Sequence, residues 1–244
     1  LIAASGGAAA VAAAGAAEAA PKGRWDFDTD VVCAGSGAAA CAAAVAAIDN
    51  GARAMIVEKM PILGGTTGKS GGVAWIPNHH VLRAEGIEDK KDDALRYMAR
   101  YSYPLAYNAD SPTLGLEEME YKLIETFYDE GAATIDRLAE LGATKFKEFR
   151  LFDVNVPAPD YADHFPENKT PTRRALDPES GSGSSGGGAS LALQLEAWLR
   201  ARNAPILTDT RVTKLIMENG RAIGVEAETE ARTIRIRARK GVVF

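Results

Sequence analysis

The spacing of apolar and polar residues changes several times along this chain, and each change predicts a new element. Asp30 to Ala34 is an apolar run that predicts a strand, and the alanine-rich stretch from Ala38 to Ile48 predicts a helix. Asn50-Gly51 is a helix-ending pair, and Arg53 to Val57 predicts a second strand. The order strand, helix, strand indicates a βαβ unit within a parallel sheet.

Helical periodicity returns between residues 90 and 142, where Gly131 and Gly142 are predicted to end helices. We expect the apolar rows of these helices to be core faces rather than parts of a cofactor site. The rows are Leu95 and Met98, then Leu116, Met119, Leu123 and Phe127, and finally Ile135, Leu138 and Leu141.

Prolines and glycines dominate the next part of the chain. Prolines at positions 157, 159, 166, 171 and 178 predict that residues 151–180 are extended and irregular, a poor helix or central strand. Ser180 to Ser190 is almost entirely Gly and Ser and leads directly into a predicted helix, Leu191 to Arg202. It is therefore either a flexible linker between domains or a loop that approaches other backbone closely.

Short alternating runs near the end of the chain predict a small antiparallel meander, with Asn219-Gly220 as a strong hairpin signal. Gly241 to Phe244 is apolar again and predicts a core strand. Because the chain begins with Leu1 and ends on such a strand, we interpret it as a fragment that is cut at both ends, with a fold that is incomplete at the C-terminus. The meander runs are Pro205 to Thr208, Arg211 to Met217, Ala222 to Ala227 and Thr233 to Ala238.

Composition is that of an ordinary soluble globular protein, with 46% hydrophobic residues and a formal net charge of −5. The charge argues against nucleic acid as a partner. Residues 1–20 are rich in Ala and Gly, and the small-x-small pattern before Pro21 is typical of an export-signal cleavage site. We interpret residues 1–24 as the remnant of a bacterial export signal or as a disordered leader. The protein is exported to the periplasm in the first case and cytoplasmic in the second.

The cysteines and histidines show no spacing typical of a metal site, and we expect no metal. Cys33 and Cys41 fall in the first strand and the following helix, so we predict two buried small hydrophobes rather than a disulfide. His79, His80 and His164 are interpreted as solvated loop residues.

The first turn of the βαβ unit has the spacing of a dinucleotide-binding motif. Gly35 permits a tight turn, Gly37 lets a pyrophosphate approach the backbone, and the small Ala40 lets the helix pack closely on the sheet. The helix N-terminus then offers N–H groups to phosphates. Glu58, 23 residues after Gly35 (58 − 35), is placed to accept hydrogen bonds from a ribose.

A second glycine cluster, Gly64 to Gly72, follows the second strand and favours FAD over NAD as the ligand. Bare backbone and the hydroxyls of Thr66 and Thr67 suit a long flavin nucleotide, with Ser70 near the phosphate and the flavin ring. The predicted cofactor-binding residues are Gly35, Ser36, Gly37, Ala38, Ala39, Glu58, Lys59, Gly64, Gly65, Thr66, Thr67, Ser70, Gly71, Gly72 and, from the resemblance described next, Val212.

Asp30 to Gly37, Val57-Glu58-Lys59 and the cluster at 64–72 together resemble the fumarate reductase/succinate dehydrogenase flavoprotein family. Ser70 to Asn78 resembles more narrowly its 3-ketosteroid dehydrogenase branch, and the resemblance covers most of residues 28–244. It implies that Val212 presents its backbone to the adenine. Respiratory members attach FAD to a histidine where this chain has Gly65, so the resemblance implies non-covalent FAD.

The resemblance implies an FAD-dependent oxidoreductase that moves a hydride between the flavin and a C–C bond next to a carbonyl. Its substrate is then a small molecule such as a 3-ketosteroid, with an unknown electron acceptor or donor. The alternatives are a fumarate-type reductase of an unsaturated carboxylate, an NAD(P)-dependent dehydrogenase, and an FAD-binding fragment without activity. Most catalytic side chains of the family lie beyond Phe244, so the catalytic residues are unknown and we expect this stretch alone to be inactive.

Steroid dehydrogenases of this branch carry an active-site tyrosine directly after a Pro-Asp-Tyr sequence. In this chain Pro159-Asp160-Tyr161 is followed by Ala162, so the matching position lacks the phenol. We interpret Tyr161 as a half-buried loop residue, with polarisation of a ketone as the alternative role. Arg173 and Arg174 face either a carboxylate or solvent.

The predicted fold is α/β, with a Rossmann-like FAD-binding domain, a mostly helical insertion and the meander. Its parts are the leader at 1–24, the FAD-binding domain at 25–80 and 186–244, and the helical and irregular insertion at 81–185.

Overall fold

A six-stranded sheet forms the centre of the chain, which a computed structural model describes at residues 23–151, 154–180 and 186–244. The predicted export signal therefore lies almost entirely outside the described residues, as does part of the Gly/Ser segment. In chain order the elements are β1 (Phe27–Ala34), α1 (Ala38–Asp49), β2 (Ala54–Val57), a 3-10 turn (Thr67–Lys69), β3 (Ala74–Trp75), α2 (His80–Ala84), α3 (Lys91–Ser102), α4 (Glu118–Glu140), β4 (Phe146–Glu148), β5 (Ala175–Pro178), α5 (Gly187–Ala201), β6 (Ile206–Leu207), β7 (Arg211–Glu218), β8 (Arg221–Glu228) and β9 (Thr233–Val243).

The strands of the large sheet follow the order β6-β2-β1-β9-β8-β7. The strands β6, β2, β1 and β9 run parallel, and β8 and β7 continue the sheet as an antiparallel hairpin. The predicted βαβ unit is confirmed as β1, α1 and β2. The predicted Rossmann-like core with a β-meander is confirmed as well.

Two strand predictions need correction. The run Pro205 to Thr208 is not part of the meander, because β6 pairs in parallel with β2 at the sheet edge, where the Pro205 carbonyl accepts the N–H of Ile56 at 3.0 Å. The run Gly241 to Phe244 is not a separate strand. Its first three residues continue β9, which pairs with β1 on both sides of a bulge between Thr29 and Val31.

The two faces of the sheet are buried by different elements. Helices α1 and α5 cover one face, where Cys33, Cys41 and Leu195 belong to one apolar cluster. On the other face Val32 and Met55 pack with apolar residues of β8 and β9. Both cysteines are free and buried, as predicted, and burial raises the pKa of Cys33 to about 11 and that of Cys41 to about 12. The thiols therefore remain protonated at neutral pH.

The insertion combines α2 to α4 with a second, three-stranded antiparallel sheet in the order β3-β5-β4, whose strand β3 precedes the predicted start of the insertion at residue 81. This small sheet corrects the prediction for 151–180, since the last part of that segment forms the central strand β5 with Pro178 as its final residue. The described remainder of the segment, at 151, 154–174 and 179–180, is irregular, as predicted. No helix within the described ranges is both long enough and apolar enough to cross a membrane.

Helix α4 corrects the prediction that all apolar rows of the insertion are core faces. It continues through Gly131, which packs against Ile76 instead of ending the helix. Its buried residues are Ile124, Ala132 and Ile135. Because a helix packed on one side buries one stripe, the neighbouring row of Met119, Leu123 and Phe127 remains exposed.

Candidate cofactor site

A cavity of about 950 Å³ opens where the parallel strands β1 and β2 end. The turn after β1, the loop after β2 and one side of α5 surround it. Ligands of open parallel sheets bind at this carboxyl edge, between neighbouring strands whose connections leave in different directions. Most of the lining is bare backbone or small and apolar side chains, and its charged groups are Glu58, Lys59, Lys69, Glu196 and Arg211.

The turn after β1 presents backbone to the cavity. Gly35 has a φ of +97°, which other residues rarely adopt, and a Cβ built there would meet no atom within 4 Å. Gly37 caps α1 without a side chain, and the N–H of Ala38 donates to the Thr67 hydroxyl at 2.9 Å. The first turn of α1 therefore directs N–H groups and the positive end of its dipole at the cavity.

Ser36 and Glu58 form a buried hydrogen-bond network behind this turn. The Ser36 hydroxyl donates to Oε2 of Glu58 at 2.5 Å and accepts the N–H of Gly64 at 3.0 Å. Oε1 of Glu58 accepts the N–H of Met60 at 2.9 Å. Glu58 is only 4% exposed although it follows a strand at the cavity edge. Its carboxylate is thus held by donors from both cofactor loops.

The second glycine loop packs against the first turn and against α5. Gly65 lies over Gly37, since a Cβ on Gly65 would be 3.7 Å from the Gly37 nitrogen. A Cβ on Gly72 would lie 2.3 Å from the nitrogen of Gly188, and the Gly188 N–H donates to the Ser70 carbonyl at 3.0 Å. These contacts confirm the close-approach interpretation of the Gly/Ser segment at Gly187 and Gly188, and α5 begins at Gly187, four residues before its predicted start.

The structure brings most of the predicted cofactor residues together around this cavity. Gly64 lies just behind the wall, between Ser36 and Ala192. Ser70, Gly71 and Gly72 lie beside the first turn of α5 and are not among the residues of the wall. The predicted residues on the wall are Gly35, Ser36, Gly37, Ala38, Ala39, Glu58, Lys59, Gly65, Thr66, Thr67 and Val212.

Several residues that line the cavity were not among the predicted cofactor-binding residues. Ile62 and Leu63 belong to the loop between the two motifs, Lys69 lies within the second glycine cluster, and Phe244 follows β9. The α5 wall consists of Ala189, Ala192, Leu193 and Glu196. A signal for this wall is present in the sequence, because its four residues follow the Gly/Ser segment at the i, i+3, i+4 and i+7 spacing of one helical face.

Other candidate residues lie outside this wall, and two interpretations of them need correction. His79 is fully buried rather than solvated, because its ring caps α2 and contacts the Arg173 carbonyl. Tyr161 is 79% exposed rather than half-buried, and its ring stacks on Tyr101. The two arginines face carboxylates: Arg173 pairs with Glu85 and Glu148, and Arg174 with Asp89 and Asp160.

The donor set suits a dinucleotide that carries phosphates and a ribose. Free space beside Gly35 leaves room for a group against the backbone, and the first turn of α1 supplies donors for phosphate oxygens. The carboxylate of Glu58 is an acceptor of the kind that ribose hydroxyls require, and the apolar side chains of Met60, Ile62 and Leu193 are surfaces of the kind that ring systems require. The residues therefore fit a flavin dinucleotide.

Comparison with known proteins agrees with this geometry. The 3-oxosteroid 1-dehydrogenase of Mycolicibacterium smegmatis is 26% identical, and the aligned region covers 88% of this chain and 46% of that protein. The structure of 3-ketosteroid-Δ4-(5α)-dehydrogenase from Rhodococcus jostii RHA1, in complex with 4-androstene-3,17-dione, has a TM-score of 0.69 at 24% identity, covering 90% of this chain and 46% of that one.

The open conformation of a flavocytochrome c3 fumarate reductase has a TM-score of 0.64 at 20% identity, covering 89% of this chain and 33% of that one. The chain thus spans less than half the length of each of these proteins. The family described as "FAD binding domain" matches residues 30–244, which include every residue of the cavity wall. This chain belongs to that family of FAD-binding domains, and FAD is its cofactor.

Proposed function

We propose that this chain is the FAD-binding part of an oxidoreductase that transfers a hydride between the flavin and a C–C bond next to a carbonyl, with 3-ketosteroids as its substrates. The observation that carries the proposal is the likeness to a 3-oxosteroid 1-dehydrogenase across 88% of the chain. The electron acceptor or donor belongs to the same proposal and is a separate molecule.

The residues of the chain bind and orient the cofactor in this proposal. FAD, when bound, supplies the hydride chemistry. The first turn of α1 binds phosphate, Glu58 orients a ribose, and the α5 wall shields one side of the cavity from water. Among the described residues of the wall there is no His, Cys or Tyr to form a covalent link, which supports non-covalent FAD.

The test uses the full-length polypeptide that contains this sequence, purified with its flavin. With 4-androstene-3,17-dione and an artificial electron-accepting dye, we expect dye reduction that depends on the steroid. With fumarate and a reduced dye, we expect no oxidation above background. The reverse pattern would contradict the steroid proposal and identify a fumarate-type reductase of unsaturated carboxylates.

A matched variant links this activity to the cavity. Gly35→Val places a branched side chain at a φ of +97° and in the space beside the turn, so we expect loss of the flavin absorbance and of dye reduction. Gly86→Val is the control, because Gly86 also has a positive φ, +74°, and lies outside the cavity wall. The control should retain flavin even if it is less stable.

A further inference from the structure

Ser36 connects the three segments that build the cofactor cavity. Its single hydroxyl donates to Glu58, which follows β2, and accepts the N–H of Gly64 in the second glycine loop. Ser36 itself lies in the turn after β1 and is 2% exposed. We infer that Ser36 is a positioning residue that holds the Glu58 carboxylate in the orientation from which it recognises the adenosine ribose of FAD.

The carboxylate of Glu58 has acceptor capacity left after its internal hydrogen bonds. An ionised carboxylate offers about four lone-pair sites, and the Ser36 hydroxyl and the Met60 N–H use one on each oxygen. Glu58 is 4% exposed and is part of the cavity wall, and in the inferred arrangement its remaining sites accept hydrogen bonds from ribose hydroxyls. The internal donors select the rotamer in which those sites face the ligand.

The position of Ser36 is itself fixed from the helix side. The Cys41 thiol donates to the Ser36 carbonyl at 3.3 Å. Burial raises the pKa of Cys41 to about 12, so the thiol keeps its proton and remains a donor. The chain from Cys41 through Ser36 to Glu58 therefore consists of buried groups with complementary roles.

Loss of the Ser36 hydroxyl has two consequences. The Glu58 carboxylate loses one of its two internal donors and is free to rotate, and the buried N–H of Gly64 loses its acceptor. A structural role alone would weaken the binding of every flavin dinucleotide equally. A positioning role weakens most strongly the binding of a ligand that carries the ribose hydroxyls.

The experiment compares two ligands on the purified full-length polypeptide that contains this sequence, after removal of its flavin: FAD and an FAD analogue whose adenosine ribose lacks the 2′-hydroxyl. Flavin fluorescence during titration gives both dissociation constants. We expect the wild-type chain to bind FAD about tenfold more tightly than the analogue, the size expected for one hydrogen bond to a charged acceptor. In Ser36→Ala the affinity for FAD should fall about tenfold. The ratio of the two dissociation constants, that of the analogue divided by that of FAD, should approach one.

Two further variants separate positioning from folding. Ser36→Thr retains the hydroxyl and should retain most of the ratio. Thr67→Val is the matched control, because it removes a hydroxyl that contacts Ala38 in the same pair of loops without touching Glu58. It should retain the wild-type ratio even if both affinities change. Far-UV circular dichroism of each variant checks the fold.

A wild-type ratio in folded Ser36→Ala would overturn the inference, and so would an equal loss of the ratio in Thr67→Val. The inference deepens the proposed function and rests on it only for the identity of the cofactor. A protein that shows the expected ratios but oxidises no steroid would therefore refute the proposed substrate class and leave the role of Ser36 intact.

Discussion

At the scale of single residues, His79 is buried at the start of α2 with a different kind of partner on each ring nitrogen. Nδ1 accepts the N–H of Leu82 at 3.3 Å, which assigns the proton to Nε2 and lets it donate to the Arg173 carbonyl at 3.0 Å. Both contacts together require a neutral ring. Burial is the main cause that lowers the pKa of His79, and the contact with the carbonyl opposes it.

This pKa shift predicts a pH-dependent stability. Below about pH 6.5 the unfolded chain binds a proton at His79 that the folded chain does not bind. The contribution of His79 is therefore complete above that pH, and it is lost as the pH falls toward the lower pKa of the folded state. We expect the urea midpoint to decrease from pH 7.5 to 5.5, and His79→Asn, which retains a capping acceptor, to reduce this decrease.

His164→Asn is the control for that measurement, because it makes the same substitution at an exposed histidine. An undiminished decrease in His79→Asn would show that other groups cause it. The burial of His79 was not predictable from its neighbours, since its partner carbonyl lies 94 positions later in the chain. The Glu58 site was predictable because the first turn and the two strands around it lie close together in sequence.

At the scale of elements, α4 shows that helical periodicity predicts a helix but does not identify its buried face. The helical spacing predicted the element, but it could not say which of two adjacent apolar rows faces the core. Ile124 is 9% exposed and Leu123 is 59% exposed, although they are neighbours in sequence. The choice depends on the elements that pack beside α4, and these come from distant parts of the chain.

The two residues form a matched pair for a stability test. We expect Ile124→Ala to lower the free energy of unfolding of the 244-residue chain by about 2–4 kcal/mol, because it leaves a cavity in the core of the insertion. Leu123→Ala should change it by about 0.5 kcal/mol or less. Chemical denaturation of both variants measures the difference, and equal losses would mean that Leu123 is covered in solution.

At the scale of the whole molecule, Arg174 joins distant segments of the insertion through buried charges. It is 0% exposed, donates to both oxygens of Asp89 at 2.7 Å, and donates to Asp160 at 2.7 Å. Trp75 donates to the other oxygen of Asp160 at 2.8 Å, and its ring lies 5.3 Å from the guanidinium. The sequence left the role of Arg174 open because the pairing spans up to 85 positions.

Removal of this cation should be costly. We expect Arg174→Met to lower the free energy of unfolding by about 3–5 kcal/mol, because two carboxylates remain buried without their counter-charge. Adding Asp89→Asn and Asp160→Asn should restore part of the loss. The adjacent Arg173→Met removes partly exposed ion pairs and should cost about 1 kcal/mol. Similar thermal shifts in the two single variants would contradict this assignment.

The pairing of β3 with β5 means that the insertion leaves and re-enters the cofactor domain at one place. Ala74 lies opposite Leu176, and just beyond this pair the Gly188 N–H reaches the Ser70 carbonyl. The conformational entropy needed to close such an excursion grows only with the logarithm of its length. We therefore expect changes of length within this excursion, in natural or engineered sequences, to cost little chain entropy as long as the stem is retained.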